Sequence, residues 1–160
     1  MQWRAAILTV TSSGVQAELE DTSAQVIREL VEEEIHGEIV DYRIIPGNTE
    51  EIMAALIEVT EYFQPDLIFT CGGSGMGSHD VVPEATMRVI EREVRGLSEA
   101  MRYGVALKTR LAMLFRGISG IRGRTLIINL PGDPKGVHEN FEAILDLLPA
   151  ALAAIRAESM

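Results

Sequence analysis

The chain has 160 residues, 47% of them hydrophobic and 24% charged, with a mean hydropathy of +0.14. This is the composition of one globular domain over residues 1–160, too apolar for a disordered tail; its longest uncharged apolar stretch, Leu147 to Ile155, contains Pro149 and is half the length of a membrane span of about 18 residues. Fourteen basic against 24 acidic side chains leave a net charge of −10, which argues against nucleic acid as a partner, since such binders need a basic face to displace counterions.

In chain order, Ala5–Val10 (AAILTV) reads as a buried strand. Asp21, Thr22 and Ser23 offer N-cap side chains for a following helix whose apolar positions are Val26, Ile27, Leu30, Val31 and Ile35. A second strand, Glu38–Ile45, ends at Pro46-Gly47, and Asn48 with Glu51 has the spacing of a capping box for a helix carrying Ile52, Leu56 and Val59. Leu67–Cys71 (LIFTC) is continuously apolar, as parallel strands covered on both faces are, and Cys71 reads as a packed thiol. Pro83 suits the first turn of the next helix, and a further helix is expected from about Leu97 to Thr109. Ala112–Ile118 and Thr125–Leu130 read as two extended segments joined by a Gly120–Gly123 turn, hence a hairpin. After Pro131-Gly132 a final helical region follows, kinked or divided at Pro149. Strands alternating with helices predict an α/β domain: three layers, with a mainly parallel sheet, helices on both faces and a short hairpin.

The lone Cys71 leaves no intramolecular disulfide and no thiolate metal cage. With no basic segment followed by an apolar one at the start, no signal peptide is expected and the cytoplasm is the expected location. The charge is uneven: residues 1–80 sum to −12, whereas 88–124 carry nine basic side chains against three acidic ones. Either these are solvated helix faces paired with acidic helices, or they focus a positive field on a cleft for a small phosphorylated ligand.

In a parallel sheet, ligands bind beyond the carboxyl ends of the strands, and two such ends carry unusual sequence. The first is Gly72-Gly73-Ser74-Gly75-Met76-Gly77-Ser78-His79-Asp80. Its glycines allow either a tight turn or a concavity of backbone N–H groups that holds an anion; it is neither a Walker loop nor a dinucleotide fingerprint. Asp80 is either a magnesium ligand beside bound phosphates or a helix cap. Ser78-His79-Asp80 is no triad, because adjacent residues cannot form that relay, and His36 and His138, placed on polar helix faces, read as surface histidines. The second end is Asn129-Leu130-Pro131-Gly132-Asp133-Pro134-Lys135, either a helix breaker or a rigid turn presenting Lys135 to a phosphate-sized space.

Taken in order, EDTS (Glu20–Ser23), GGSGMGSHDVVPEAT (Gly72–Thr86), GLSEAMR (Gly96–Arg102), GIRGRTLIINLPGDPKG (Gly120–Gly136) and ENFEAIL resemble the molybdenum-cofactor biosynthesis proteins of the MogA/MoaB type over nearly the whole chain. The resemblance implies a molybdopterin-binding domain that adenylylates molybdopterin with magnesium-ATP and releases pyrophosphate, working as a homo-oligomer, trimer or hexamer, without membrane or nucleic-acid partners. It implies that Gly72, Gly73, Ser74 and Gly75 lie near the pterin and phosphate and that Asp80 is the catalytic and magnesium-linked carboxylate. Glu84 and Thr86 follow in the matching Pro-Glu-Ala-Thr run. Asn129, Pro131, Gly132, Pro134 and Lys135 match a second ligand loop, and Asp21 and Ser23 match an early Asp-x-Ser segment. The chain departs from the pattern in several places. Ser12 and Gly47 stand where the family carries acids, with Asn48 bringing only an uncharged carbonyl; His79 replaces an arginine and Phe115 a serine. The alternative these departures open is a non-catalytic or weakly active molybdopterin binder or carrier.

Overall fold

The computed structural model describes residues 2–11 and 17–158, those of 17–21 by their backbone alone. Six strands, β1 (Trp3–Thr11), β2 (Gly37–Pro46), β3 (Leu67–Cys71), β4 (Arg92–Glu93), β5 (Ser119–Arg122) and β6 (Thr125–Leu130), form one sheet in the order β2-β1-β3-β6-β5-β4. The first four in that order are mutually parallel, while β5 runs antiparallel to β6 and to β4. Six α-helices cover it: α1 (Ala17–Glu34), α2 (Thr49–Tyr62), α3 (Val82–Val89), α4 (Arg95–Ala106), α5 (Pro134–Ile144) and α6 (Leu148–Glu158).

The central strands read as unbroken apolar runs because alternate residues enter two separate cores. Ala5, Ile7, Leu67, Phe69, Leu126 and Ile128 pack beneath α1, α4, α5 and α6. Ala6, Leu8, Val10, Ile68 and Ile127 pack beneath α2 and α3. The expected three-layer architecture is therefore present, and Phe69 against Phe141, ring centroids 5.3 Å apart, stitches β3 to α5. Asn48 caps α2 as its spacing predicts, its Oδ1 accepting the Glu51 N–H at 2.9 Å and its Nδ2 donating to the Glu51 carboxylate.

Four local expectations are corrected. Helix α1 already begins at Ala17, so Asp21, Thr22 and Ser23 lie inside it and do not cap it. Residues 112–118 are not a strand. Arg110–Leu114 is a 3-10 helix capped by the Thr109 hydroxyl, its apolar side chains Leu111, Met113 and Leu114 facing outward, and the chain becomes a strand only at Ser119. The hairpin turn accordingly falls at Gly123-Arg124, where Gly123 takes a φ of +59°. His36 is not on a helix face: it lies between α1 and β2 with a φ of +53°.

Candidate functional site

The strand order reverses between β1 and β3: from β1 the chain moves outward to β2, then returns to the opposite side as β3. That switch point leaves a crevice beyond the carboxyl ends of the strands. A cleft of about 420 Å³ opens there, bordered by Val10 at the end of β1, Gly47 after β2, the Gly72–Met76 loop after β3, His79, Asp80, and Pro131, Gly132 and Asp133 after β6. Its size falls within the usual range of small-molecule sites, about 300–1,000 Å³.

Backbone chemistry explains the glycines. Gly72 and Gly73 take φ values of +91° and +69°, a region costly for residues with a Cβ. A Cβ on Gly73 would lie 2.5 Å from Val82 Cγ2 at the start of α3, so the loop lies directly on that helix. A Cβ on Gly132 would meet the Cα of Gly72 at 3.3 Å, and the Gly72 N–H reaches the carbonyl of Leu130 at 3.3 Å. The two loops singled out by sequence thus abut and form one wall. Ser23 ties this wall to α1 by donating to the Gly132 carbonyl at 2.8 Å. Cys71, buried at the end of β3, donates to the Pro131 carbonyl at 3.4 Å, in keeping with a packed thiol.

Asp80 borders the cleft and accepts the Gly77 N–H on Oδ2 at 2.7 Å. It does not cap α3; the residue at that position is Val81, and no side chain serves there. Gly75 and Gly77 fold closely around the carboxylate, since a Cβ on either would come within 3.1 or 2.9 Å of Oδ2. Asp133 accepts the Gly136 N–H and caps α5, with Pro134 in its first turn.

Several anticipated side chains point elsewhere. Asn129 is fully buried: Nδ2 donates to the hydroxyls of Thr70 and Thr86 at 3.0 and 3.1 Å, and Oδ1 accepts the Ile118 N–H at 3.1 Å. It fastens β6 to β3 and α3 beneath the site. Ser74 borders the cleft but is almost fully buried, and its hydroxyl donates to the Leu130 carbonyl at 3.4 Å. Glu84 is held by Arg116 in a two-point ion pair at 2.7 and 3.2 Å and does not border the cleft. Lys135 lines a neighbouring cleft. The backbone of Asp21 lies in α1, and its side chain, like Ser12, lies outside the described residues.

Arg116 is the structural residue that pattern reading missed. Its backbone N–H donates to the Ser74 carbonyl, Nε to Gly75 O and Nη2 to Asp80 O, at 2.9, 2.8 and 2.6 Å. One guanidinium therefore holds both ends of the glycine loop, and Glu84 orients it. The hydrogen bond from Arg116 holds the Glu84 carboxyl below the usual glutamate range and raises the arginine in turn. No local sequence signal marks it, because 41 residues separate Gly75 from Arg116.

The positive field expected from residues 88–124 is not focused on this cleft, which among the described residues no lysine or arginine borders. Those side chains serve the alternative reading: Arg92, Lys108, Arg116 and Arg122 pair with Glu158, Glu139, Glu84 and Glu61, and Arg95 with Glu93. Among the described residues no group of three or more His, Cys, Asp or Glu could hold a metal, and no helix is long and apolar enough to cross a membrane.

An α/β sheet with two abutting loops at its switch point defines a small-molecule-binding domain of the doubly wound class. Residues 6–150 match the family model described as "Probable molybdopterin binding domain", and the chain belongs to that family. It is 33% identical over 144 residues to the molybdopterin adenylyltransferase of Helicobacter pylori, covering 89% of this chain and 82% of the relative. It is 36% identical over 149 residues to the molybdenum cofactor synthesis protein cinnamon of Drosophila melanogaster, spanning 93% of this chain but only a quarter (25%) of that longer protein. Among solved structures, that of the molybdopterin biosynthesis enzyme MoaB of Thermus thermophilus superposes with a TM-score of 0.89 at 42% identity over 96% of both chains. The fold and the place in molybdenum-cofactor biosynthesis expected from the sequence agree with these findings.

Proposed function

We propose that the cleft binds molybdopterin and ATP and transfers adenylate between them: the molybdopterin phosphate oxygen bonds to the α-phosphorus of ATP, and the bond to the bridging oxygen breaks, with pyrophosphate leaving on that electron pair. The observation that carries this reading is the contact between the Gly72–Gly75 and Pro131–Asp133 loops at the switch point, with Asp80 on the same wall. Backbone amides close to a ligand suit phosphate oxygens, and Arg116 keeps them in place without entering the cleft. Magnesium fits the site only as a shared ion: Asp80 uses one oxygen on Gly77 and keeps Oδ1 for a cation whose other ligands come from phosphates and water. Bound there, the ion would neutralise charge on the phosphates.

The test is pyrophosphate release from purified protein with molybdopterin and magnesium-ATP. Asp80→Ala is expected to lower the rate by about 100-fold or more, the usual effect of losing one positioned electrostatic contact; equal rates in wild type and variant would overturn the reading. A second reading, a molybdopterin carrier, is favoured by Gly47, which brings no carboxylate to the cleft it borders. Among the described residues a Cβ at that position meets nothing closer than the Thr11 carbonyl at 3.5 Å, so a side chain can begin there without a clash. A carrier shows tight binding and no pyrophosphate, and Gly47→Asp is then expected to create or raise adenylylation at unchanged molybdopterin affinity; an unchanged rate argues against that carboxylate as the missing part. The exposed apolar side chains Tyr103, Leu107, Leu111 and Met113 suit burial between copies of the chain, and light scattering is expected to give a trimer or hexamer.

A further inference from the structure

The proposed site adjoins a second cleft of about 450 Å³, bordered by Val105, Leu111, Lys135 and Asn140, and the two share one wall made of Phe115, Pro131 and Asp133. Among the described residues, Phe115 supplies the one phenyl ring in either lining. It is half-buried and packs against the core beneath α4 and α5. The far end of its ring is set against Gly117: a Cβ there would lie 2.1 Å from Cζ and 2.7 Å from both Cε atoms, so only glycine admits the ring in this position. The backbone on either side is fixed as well. The Phe115 N–H donates to Ala112 O, Arg102 donates to the Phe115 carbonyl at 3.3 Å and to Gly117 O at 2.9 Å, and Arg116 is anchored to the glycine loop. An aromatic side chain held at its tip and at its backbone loses little freedom when a ligand arrives.

Resting on the reading of a pterin and nucleotide site, we propose that Phe115 is a specificity-determining residue: its ring is a rigid partition against which a flat heteroaromatic ring of the ligand stacks, so that the site selects ligands by that ring as well as by phosphate. The chemistry recognised is a planar, polarisable heterocycle, and two sources carry it, the pterin and the adenine. Stacking of this kind is tolerant of ring substituents, so the partition selects for flatness and the loops select for the anion.

The experiment separates the sources. Wild type, Phe115→Tyr, Phe115→Leu and Phe115→Ser are titrated with pterin-6-carboxylate, followed by its fluorescence, and with AMP, followed by calorimetry; the melting temperature of each is recorded. Wild type is expected to bind at least one probe, with quenched fluorescence if the pterin is the stacked ring. Phe115→Leu, which keeps the apolar packing, is expected to weaken that probe by about ten-fold or more, while Phe115→Tyr stays within about two-fold of wild type. Unchanged affinity in Phe115→Leu overturns the inference while the proposed function stands. Loss of both probes in step with a fall in melting temperature in every variant, Phe115→Tyr included, also overturns it, since the role is then structural. Wild type binding neither probe overturns this inference and the proposed function together.

Discussion

Asn129 has capacity for four hydrogen bonds and makes three of them inside the protein, to Thr70, Thr86 and the Ile118 N–H. Its place in the sequence, just before Pro131-Gly132, suggests a ligand contact, but its side chain faces into the layer between β6 and α3. Alternation along a strand decides this: Leu130 and Ile128 face the α1 and α5 side, so Asn129 faces the other. Asn129→Leu removes a buried hub and leaves two hydroxyls and an amide to find new partners. It is expected to cost about 3 kcal/mol of stability in urea denaturation, each unsatisfied buried group contributing about 1–3 kcal/mol, with ligand affinity of the folded protein unchanged. A ligand role for Asn129 would give the opposite result, weakened affinity at unchanged stability.

Among the elements, those defined by burial were legible and those defined by exposure were not. Leu67–Cys71 could be delimited from sequence alone because four apolar residues and one threonine bounded by turn signals leave few alternatives. The run Ala112–Ile118 has a similar appearance but starts inside a 3-10 turn, with Met113 at 47% exposure and Leu114 at 50%, and hydrophobicity carries no information about a turn that shows such residues to the outside. Strand β4 is two residues long and exists only because Arg92 and Glu93 pair with Ile121 and Gly120. The glycine loop was legible as an unusual loop, whereas Arg116, its anchor, was not, since contacts across tens of residues leave no local pattern. The loop makes a direct prediction. Gly73→Ala adds a methyl at a φ of +69° and 2.5 Å from Val82. It is expected to lower stability by about 1–3 kcal/mol and to weaken binding at the cleft, measured by thermal denaturation and ligand titration.

Across the whole molecule, charge is distributed for cohesion more than for attraction of a ligand. The basic residues of the second half clamp helices and turns to acidic partners, and the cleft is left with carboxylates and backbone amides. This arrangement fixes a pH dependence. Glu84 is held below its ordinary value of 4.5 by the Arg116 hydrogen bond, so its contribution to stability is complete above the usual glutamate range and is lost as pH falls through the lowered value. Arg116 stays charged throughout. The difference in melting temperature between wild type and Glu84→Gln is therefore expected at neutral pH, shrinking with added salt because Glu84 is half exposed, and vanishing in acid.

The two margins of the sheet carry a consequence of their own. On one side the row of open backbone groups is cut to two residues, Arg92 and Glu93, both exposed. On the other, ten residues of β2 run along the border, and Glu38, Asp41 and Arg43 set charge along it until Pro46 removes a donor. A foreign extended peptide arriving at either margin finds too short a template or an ionic fence. A chain with this much β-structure thus guards itself against fibrillar growth through how its sheet begins and ends.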